Sequence, residues 1–317
     1  MPSARGASRG RRRHLPWLLA LLVLVASLLV AGRLAQEPEG PREPFLVGAA
    51  QHDNGDPVGL ERAAGSTLGI RRTFWKVSKL DASIAVARHD VADGRVPLLS
   101  YKVGDWSAAA DGAMDDWARN AAARLSALGG TVMVAVHHEP EGDGDIATWR
   151  RMQQRLAPLF DVPHVEYGVV LTGYAQIYGP RKYSFDAVWP SGAPVKFLGL
   201  DVYESFGARN KNGGTKHHWT DLEQAYFVDA GRFARRKHVA WGLAETGLTD
   251  AAFHTRPGRV WFGATARGLV RQGGSFFAYF DSRQNSGSNS WPLQGAKRAA
   301  YLRLLANPPL GPVQQSR

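Results

Sequence analysis

Two glutamates have the residue type and the placement that acid–base chemistry needs. Glu139 lies in TVMVAVHHEPEGD and Glu245 in HVAWGLAETGL, each where an apolar run gives way to a polar loop. Each run reads as a buried strand. A pair of carboxyl groups, one protonated and one ionised, is the minimum apparatus for hydrolysing a glycosidic bond; in retaining enzymes the two stand about 5–5.5 Å apart. Two like groups reach those unlike states through their surroundings, since burial and a nearby negative charge raise the pKa of the proton donor. Glu139 and Glu245 are far apart in sequence. A closed barrel of parallel strands brings such residues together, because its strand C-termini converge on one face.

The elements expected around them fit that fold. Eight strands are expected at 45–51, 71–77, 96–103, 131–138, 166–173, 195–203, 238–245 and 274–281. Most are continuous apolar runs, as in strands covered on both faces. Helices are expected at 80–94, 113–130, 145–160, 221–238 and 256–274. The second of these places Trp117, Ala121, Leu125 and Leu128 at helical spacing, and Asp145 suits the N-cap of the third. Strands alternating with helices imply an α/β protein with a parallel sheet and right-handed crossovers. Eight such units over residues 45–307 favour closure into a single (β/α)8 TIM barrel. No Gly-x-Gly-x-x-Gly follows the first strand, which counts against a dinucleotide fold. Glu139 then ends strand four and Glu245 ends strand seven, facing each other across the mouth.

Long loops rich in aromatics follow strands five, six and eight, at 174–192, 204–220 and 282–294. In a barrel they sit on the active face. Tyr174, Trp219 and Trp291 are therefore candidates for stacking on sugar rings. Trp75 with Lys76, ending strand two, and Tyr101 with Lys102, ending strand three, are candidates for lining a sugar groove. The alternative for each ring is packing within the protein. His137 falls on the opposite side of its strand from His138 and reads as structural.

The segments VHHEPEG and GLAETG, in fourth- and seventh-strand positions, resemble glycoside hydrolase family 26 and its wider clan of retaining (β/α)8 enzymes, best known for β-mannan hydrolysis. The resemblance implies that Glu139, preceded by His138, is the acid/base and that Glu245 is the nucleophile. It also implies that Tyr203, in GLDVY, hydrogen-bonds the nucleophile, with Asp201 just before it as a further substrate-site residue. An aromatic after strand eight should floor the sugar subsite at the cleavage point; Trp291 is the first choice and Tyr279 the second. The family often reads His-Glu-Met-Asn-Gly after strand four, whereas this chain reads His-Glu-Pro-Glu-Gly through Pro140 and Glu141. That departure leaves mannan, xylan and glucan open as substrates. No cofactor and no metal are implied, and the expected partner is a polysaccharide or oligosaccharide.

Two rival classes stay open on the sequence. A non-catalytic sugar-binding barrel would keep the groove without turnover. A metal-dependent barrel hydrolase would use histidines and aspartates at strand ends, such as His52, Asp53, His137, His138, His217 and His218, but no His-x-His follows strand one.

The remaining bounds come from charge and the termini. The 317-residue chain has a formal charge of +11, but residues 1–33 hold six arginines and no acid, which leaves +5 for the rest. That remainder does not argue for nucleic acid. Residues 15–32 are uncharged and follow a basic flank, as in a signal peptide or an N-terminal membrane anchor. The expectation is an exported protein, secreted or anchored to the outer face of the membrane. Residues 33–44 read as a Pro/Glu-rich linker and 308–317 as a disordered tail. With no cysteine, disulfide and thiol chemistry are excluded.

Overall fold

The computed structural model describes residues 42, 44–209, 213–283 and 291–312. The expected export segment, residues 1–32, nearly all of the linker, and residues 313–317 lie outside the described residues. Among the described residues no helix is long and apolar enough to cross a membrane.

Eight strands form a closed barrel in sequence order: β1 (Leu46–Gln51), β2 (Ile70–Lys76), β3 (Val96–Lys102), β4 (Val132–Val136), β5 (Val165–Leu171), β6 (Phe197–Glu204), β7 (Ala240–Leu248) and β8 (Phe276–Asp281). Every neighbouring pair is parallel, and β1 closes on β8. This is the (β/α)8 barrel expected from the alternation of runs. Main helices run over Leu80–Ala92, Asp115–Ser126, Ile146–Leu156, Val228–Lys237, Trp261–Arg271 and Gly295–Ala306. Asp145 caps its helix by accepting from the Thr148 N–H at 2.8 Å.

Alternation along each strand splits the apolar residues into two cores. Inside the barrel lie Ile70, Leu98, Met133, Val170, Phe197 and Phe276, with small alanines between them. Between barrel and helices lies a larger core that includes Leu99, Val134, Trp149, Leu243, Phe277 and Tyr279. The two lumenal phenylalanines fit because glycines face them. A Cβ on Gly168 would come within 2.3 Å of the Phe197 ring, and one on Gly242 within 2.6 Å of the Phe276 ring.

Element ends differ from the sequence reading in two places that matter. β4 stops at Val136 rather than at His138, and β7 runs on to Leu248 instead of ending at Glu245. The part of the expected disordered tail that is described, residues 308–312, lies against the barrel domain. Gly311 is buried there, and its carbonyl accepts from Arg42 Nη1 at 3.2 Å.

Candidate active site

Glu139 is placed by a break in strand geometry. Met133 and Ala135 face the lumen, so plain alternation would send His137 inward as well. His137 instead adopts a left-handed backbone, φ 54°, and so does Glu139, φ 50°. Both are unfavourable for residues with a Cβ, at about 1–2 kcal/mol each. The N–H of His137 donates to Tyr101 O on β3 at 2.7 Å, while that of Glu139 donates to Val170 O on β5 at 2.9 Å. The chain thus switches neighbours within two residues, turning His137 outward and His138 inward.

The turn is held from outside. Trp149 Nε1 donates to the His137 carbonyl at 2.9 Å, and Trp106 Nε1 donates to His137 Nδ1 at 2.9 Å. His137 Nε2 lies 3.1 Å from Asp143, which is paired in turn with Lys102 at 2.5 Å. On the inner side, the His138 ring packs on Phe74 with centroids 5.5 Å apart. Burial, then the charges of Arg72 and Lys102, hold the His138 imidazole well below its ordinary pKa, so it is neutral.

Glu245 is placed by a β-bulge. Leu200 pairs with Leu243, but Asp201 pairs with Glu245, and the shift recurs against β8, where Leu243 pairs with Phe277 and Thr246 with Tyr279. β7 therefore carries one extra residue, Ala244. Ala244 faces the lumen and Glu245, immediately after it, faces the mouth, which an unbroken alternation forbids. At the mouth, Tyr203 donates to Glu245 Oε2 at 2.5 Å, and Arg72 Nη2 lies 3.3 Å from Glu245 Oε1. Arg72 is fully buried and donates to Asp201 Oδ1 at 2.7 Å. Burial pulls the Arg72 pKa down, but Asp201, Glu245 and Glu139 together outweigh it and leave the guanidinium more firmly charged than usual.

Three carboxyl groups thus surround one cation in a largely buried site, and they cannot all be ionised cheaply. Burial, and next the charge of Glu245, push Glu139 up to about 7; Arg72 opposes this and Glu141 adds to it. Burial likewise pushes Asp201 up, with Arg72 opposing. Burial, then Glu245, raise Tyr203 well above its ordinary value, so its hydroxyl stays a donor.

The structure brings Glu139, Glu245, His138, Tyr203 and Asp201 to one end of the barrel, and it corrects several groove assignments. Tyr101 points outward, fully buried, with its hydroxyl 2.7 Å from Ser83 Oγ. Trp75, paired with Tyr101 across β2 and β3, shares that outer face, and its indole donates to Thr73. Tyr279 is also fully buried on the outside, against Phe262 and Tyr301, with its hydroxyl donating to Trp291 O. None of the three reaches a sugar at the mouth. The Asp201 side chain has no exposed surface and serves Arg72 rather than a ligand. Trp291 is mostly buried and packs on Tyr203 with centroids 4.9 Å apart, so its direct effect is on the ring that donates to Glu245. Trp219 is half-buried against the outer core, while Tyr174 is exposed.

Sequence reasoning missed Arg72, Glu141, Asp143 and Gln176. Arg72 had a signal: an arginine two residues into an apolar strand needs a buried anion. Glu141 is half-buried and accepts from Gln176 Nε2 and, at 3.4 Å, from the Thr172 N–H. Among the described residues no three His, Cys, Asp or Glu side chains converge as a metal site.

No family model matches the chain, and no curated protein matches it in sequence. Solved structures do match in fold. Cel5A of Thermotoga maritima, solved with mannotriose, superposes with a TM-score of 0.59 at 10% identity, covering 82% of this chain and 97% of that one. The family 5 xyloglucanase of Paenibacillus pabuli gives 0.57 at 10% identity, covering 82% and 98%. The endo-β-1,4-glucanase Xac0029 of Xanthomonas axonopodis pv. citri gives 0.58 at 10% identity, covering 83% and 98%. The fold of this chain is therefore the (β/α)8 barrel that these three glycan-cleaving proteins share.

Proposed function

We propose that this protein is a retaining glycoside hydrolase acting on a β-linked polysaccharide, with Glu139 as acid/base and Glu245 as nucleophile. The observation that carries the reading is the contrast between the two carboxyls. Glu139 is raised to about 7 and holds a proton near neutrality. Glu245 accepts from Tyr203 and sits beside Arg72, the surroundings of an anion.

In the first step Glu139 gives its proton to the glycosidic oxygen. The Glu245 carboxylate attacks the anomeric carbon as the bond to that oxygen breaks, forming a glycosyl ester. In the second step Glu139, now ionised, takes a proton from water, which attacks the same carbon and releases Glu245. Two inversions give net retention. His138 and Tyr203 keep the two carboxyls in place.

The finer parts of the proposal are membership of family 26, a β-mannan-type substrate ahead of β-xylan or β-glucan, and export through residues 1–32. The motif pair around Glu139 and Glu245 supports the first two, and a fold neighbour solved with mannotriose is in keeping with the second. The uncharged run 15–32 supports the third.

The acid role gives the pH profile a definite sign. The first step needs Glu139 protonated, so kcat/KM should fall about tenfold per pH unit above a limb near 7. In Glu139→Gln that basic limb should vanish, with residual activity confined to substrates whose leaving group needs no proton. A basic limb that persists in Glu139→Gln would sink the assignment. The same raised pKa means the folded state binds this proton more tightly than the unfolded chain. Its contribution to stability is therefore lost as pH rises from the ordinary glutamate value toward 7.

Tyr203→Phe removes the hydroxyl that donates to Glu245. Losing a hydrogen bond to a charged group costs about 1.5–3 kcal/mol, so kcat should drop about 10- to 100-fold. Unchanged kcat, measured on a soluble β-mannan, would refute a positioning role.

A further inference from the structure

The short helix Tyr174–Tyr178 follows β5 on the mouth face and carries two rings that no core takes up. Tyr174 is 62% exposed and Tyr178 54%; among the described residues the other exposed large apolar side chains, Val58, Val260 and Leu310, are aliphatic. The two tyrosine rings lie side by side, with centroids 5.4 Å apart and planes at 41°. Tyr178 is fixed from behind. Its ring meets Tyr226 edge-on at 6.0 Å, and its hydroxyl donates to Ala225 O at 3.3 Å.

The same helix is tied to the acid/base loop. Buried Gln176 donates to the Glu141 carboxylate and, at 3.1 Å, to Tyr183 O. Glu141 is two residues from Glu139. Gly173, which starts the helix at φ 68°, lies so close to β6 that a Cβ there would fall 2.5 Å from Val202 Cγ1. Tyr178, with Tyr174 beside it, is therefore an exposed aromatic surface held from behind and coupled to the proton donor's loop through Glu141, which stands where the chain departs from the family's usual motif after strand four.

Pyranose rings with equatorial substituents present flat C–H faces, and an aromatic ring binds such a face at little entropic cost when it is already held in place. We propose that Tyr174 and Tyr178 form a distal subsite that stacks a sugar ring of an extended β-glycan, away from the bond being cleaved. This rests on the glycosidase reading above and makes the enzyme selective for long chains, since binding at a remote ring is drawn on at the reacting centre.

The test compares kcat/KM on a β-1,4-linked hexasaccharide with kcat/KM on an aryl β-glycoside, in the wild type and in Tyr174→Ala/Tyr178→Ala. The ratio of long to short should fall about tenfold in the variant, equivalent to about 1.4 kcal/mol. A ratio equal to that of the wild type overturns the subsite. A second arm separates this from failure of the parent reading: mobility of both proteins in native gels cast with soluble β-mannan, xylan or mixed-linkage glucan. If the wild type cleaves none of these glycans, the glycosidase reading falls. Retardation that depends on the two tyrosines still upholds the subsite, and equal mobility of the two proteins in every gel overturns it.

Discussion

Glu245→Ala is expected to lower turnover of a β-glycan by about four to six orders of magnitude, the loss seen when a covalent nucleophile is removed. The barrel should survive, because the substitution removes a carboxylate from a cluster that holds two others around one guanidinium. The informative measurement adds azide. A small anion can enter the space left by the carboxylate and attack the anomeric carbon, while Glu139 protonates the departing oxygen. The product is then a glycosyl azide of inverted configuration, α from a β-linked substrate. In Glu139→Ala, azide should instead attack the glycosyl ester on Glu245 and give the β-azide, provided the leaving group needs no proton. The opposite pairing of variant and anomer would reverse the two roles. Full activity in Glu245→Ala would remove the site from β7 altogether, and a wild type without turnover on any glycan would favour the sugar-binding barrel.

The second large effect concerns Arg72. Arg72→Met should destabilise the fold by about 3–5 kcal/mol, because it leaves buried Asp201 and mostly buried Glu245 without their cation. For a barrel of this size that corresponds to a melting temperature lower by about 5–9 °C. Adding Asp201→Asn should recover part of the loss by removing the orphaned charge. Thermal unfolding followed by circular dichroism reads both numbers. A double variant as unstable as Arg72→Met alone would mean that the arginine acts by packing rather than by charge. Activity should not return with stability, since Glu245 still lacks its cation in the double variant.

The barrel was legible because its strands are buried on both faces and so read as plain apolar runs, while the helices between them carry caps and periodicity, as at Asp145. Glu139, Glu245, His138 and Tyr203 were legible because each sits near the end of such a run. What failed was facing. Tyr101, Trp75 and Tyr279 lie on strands at the right height but on the wrong side, and a continuous apolar run carries no alternation from which to tell the sides apart. Arg72 shows the converse. It was legible as a charge in an apolar strand, yet its partners come from β6 and β7 and are set by closure of the barrel, which no local pattern records. The left-handed turn at His137 and Glu139 was hidden too, because no glycine marks it.

The extra residue in β7 carries a consequence of another kind. Glu245 reaches the mouth because the bulge absorbs Ala244, tucked toward Gly199 where a Cβ added to that glycine would lie 2.8 Å from the alanine methyl, and so keeps Glu245 opposite Asp201. The site is therefore encoded partly in a count. Replacing Ala244 with serine would keep the strand's length and leave Glu245 aimed as it is, and deleting it would leave Glu245 directly after outward-facing Leu243 and still aimed inward, whereas inserting one more residue would turn the carboxylate toward the helices. Point substitutions test which atoms act here, but only a change in chain length tests what aims them.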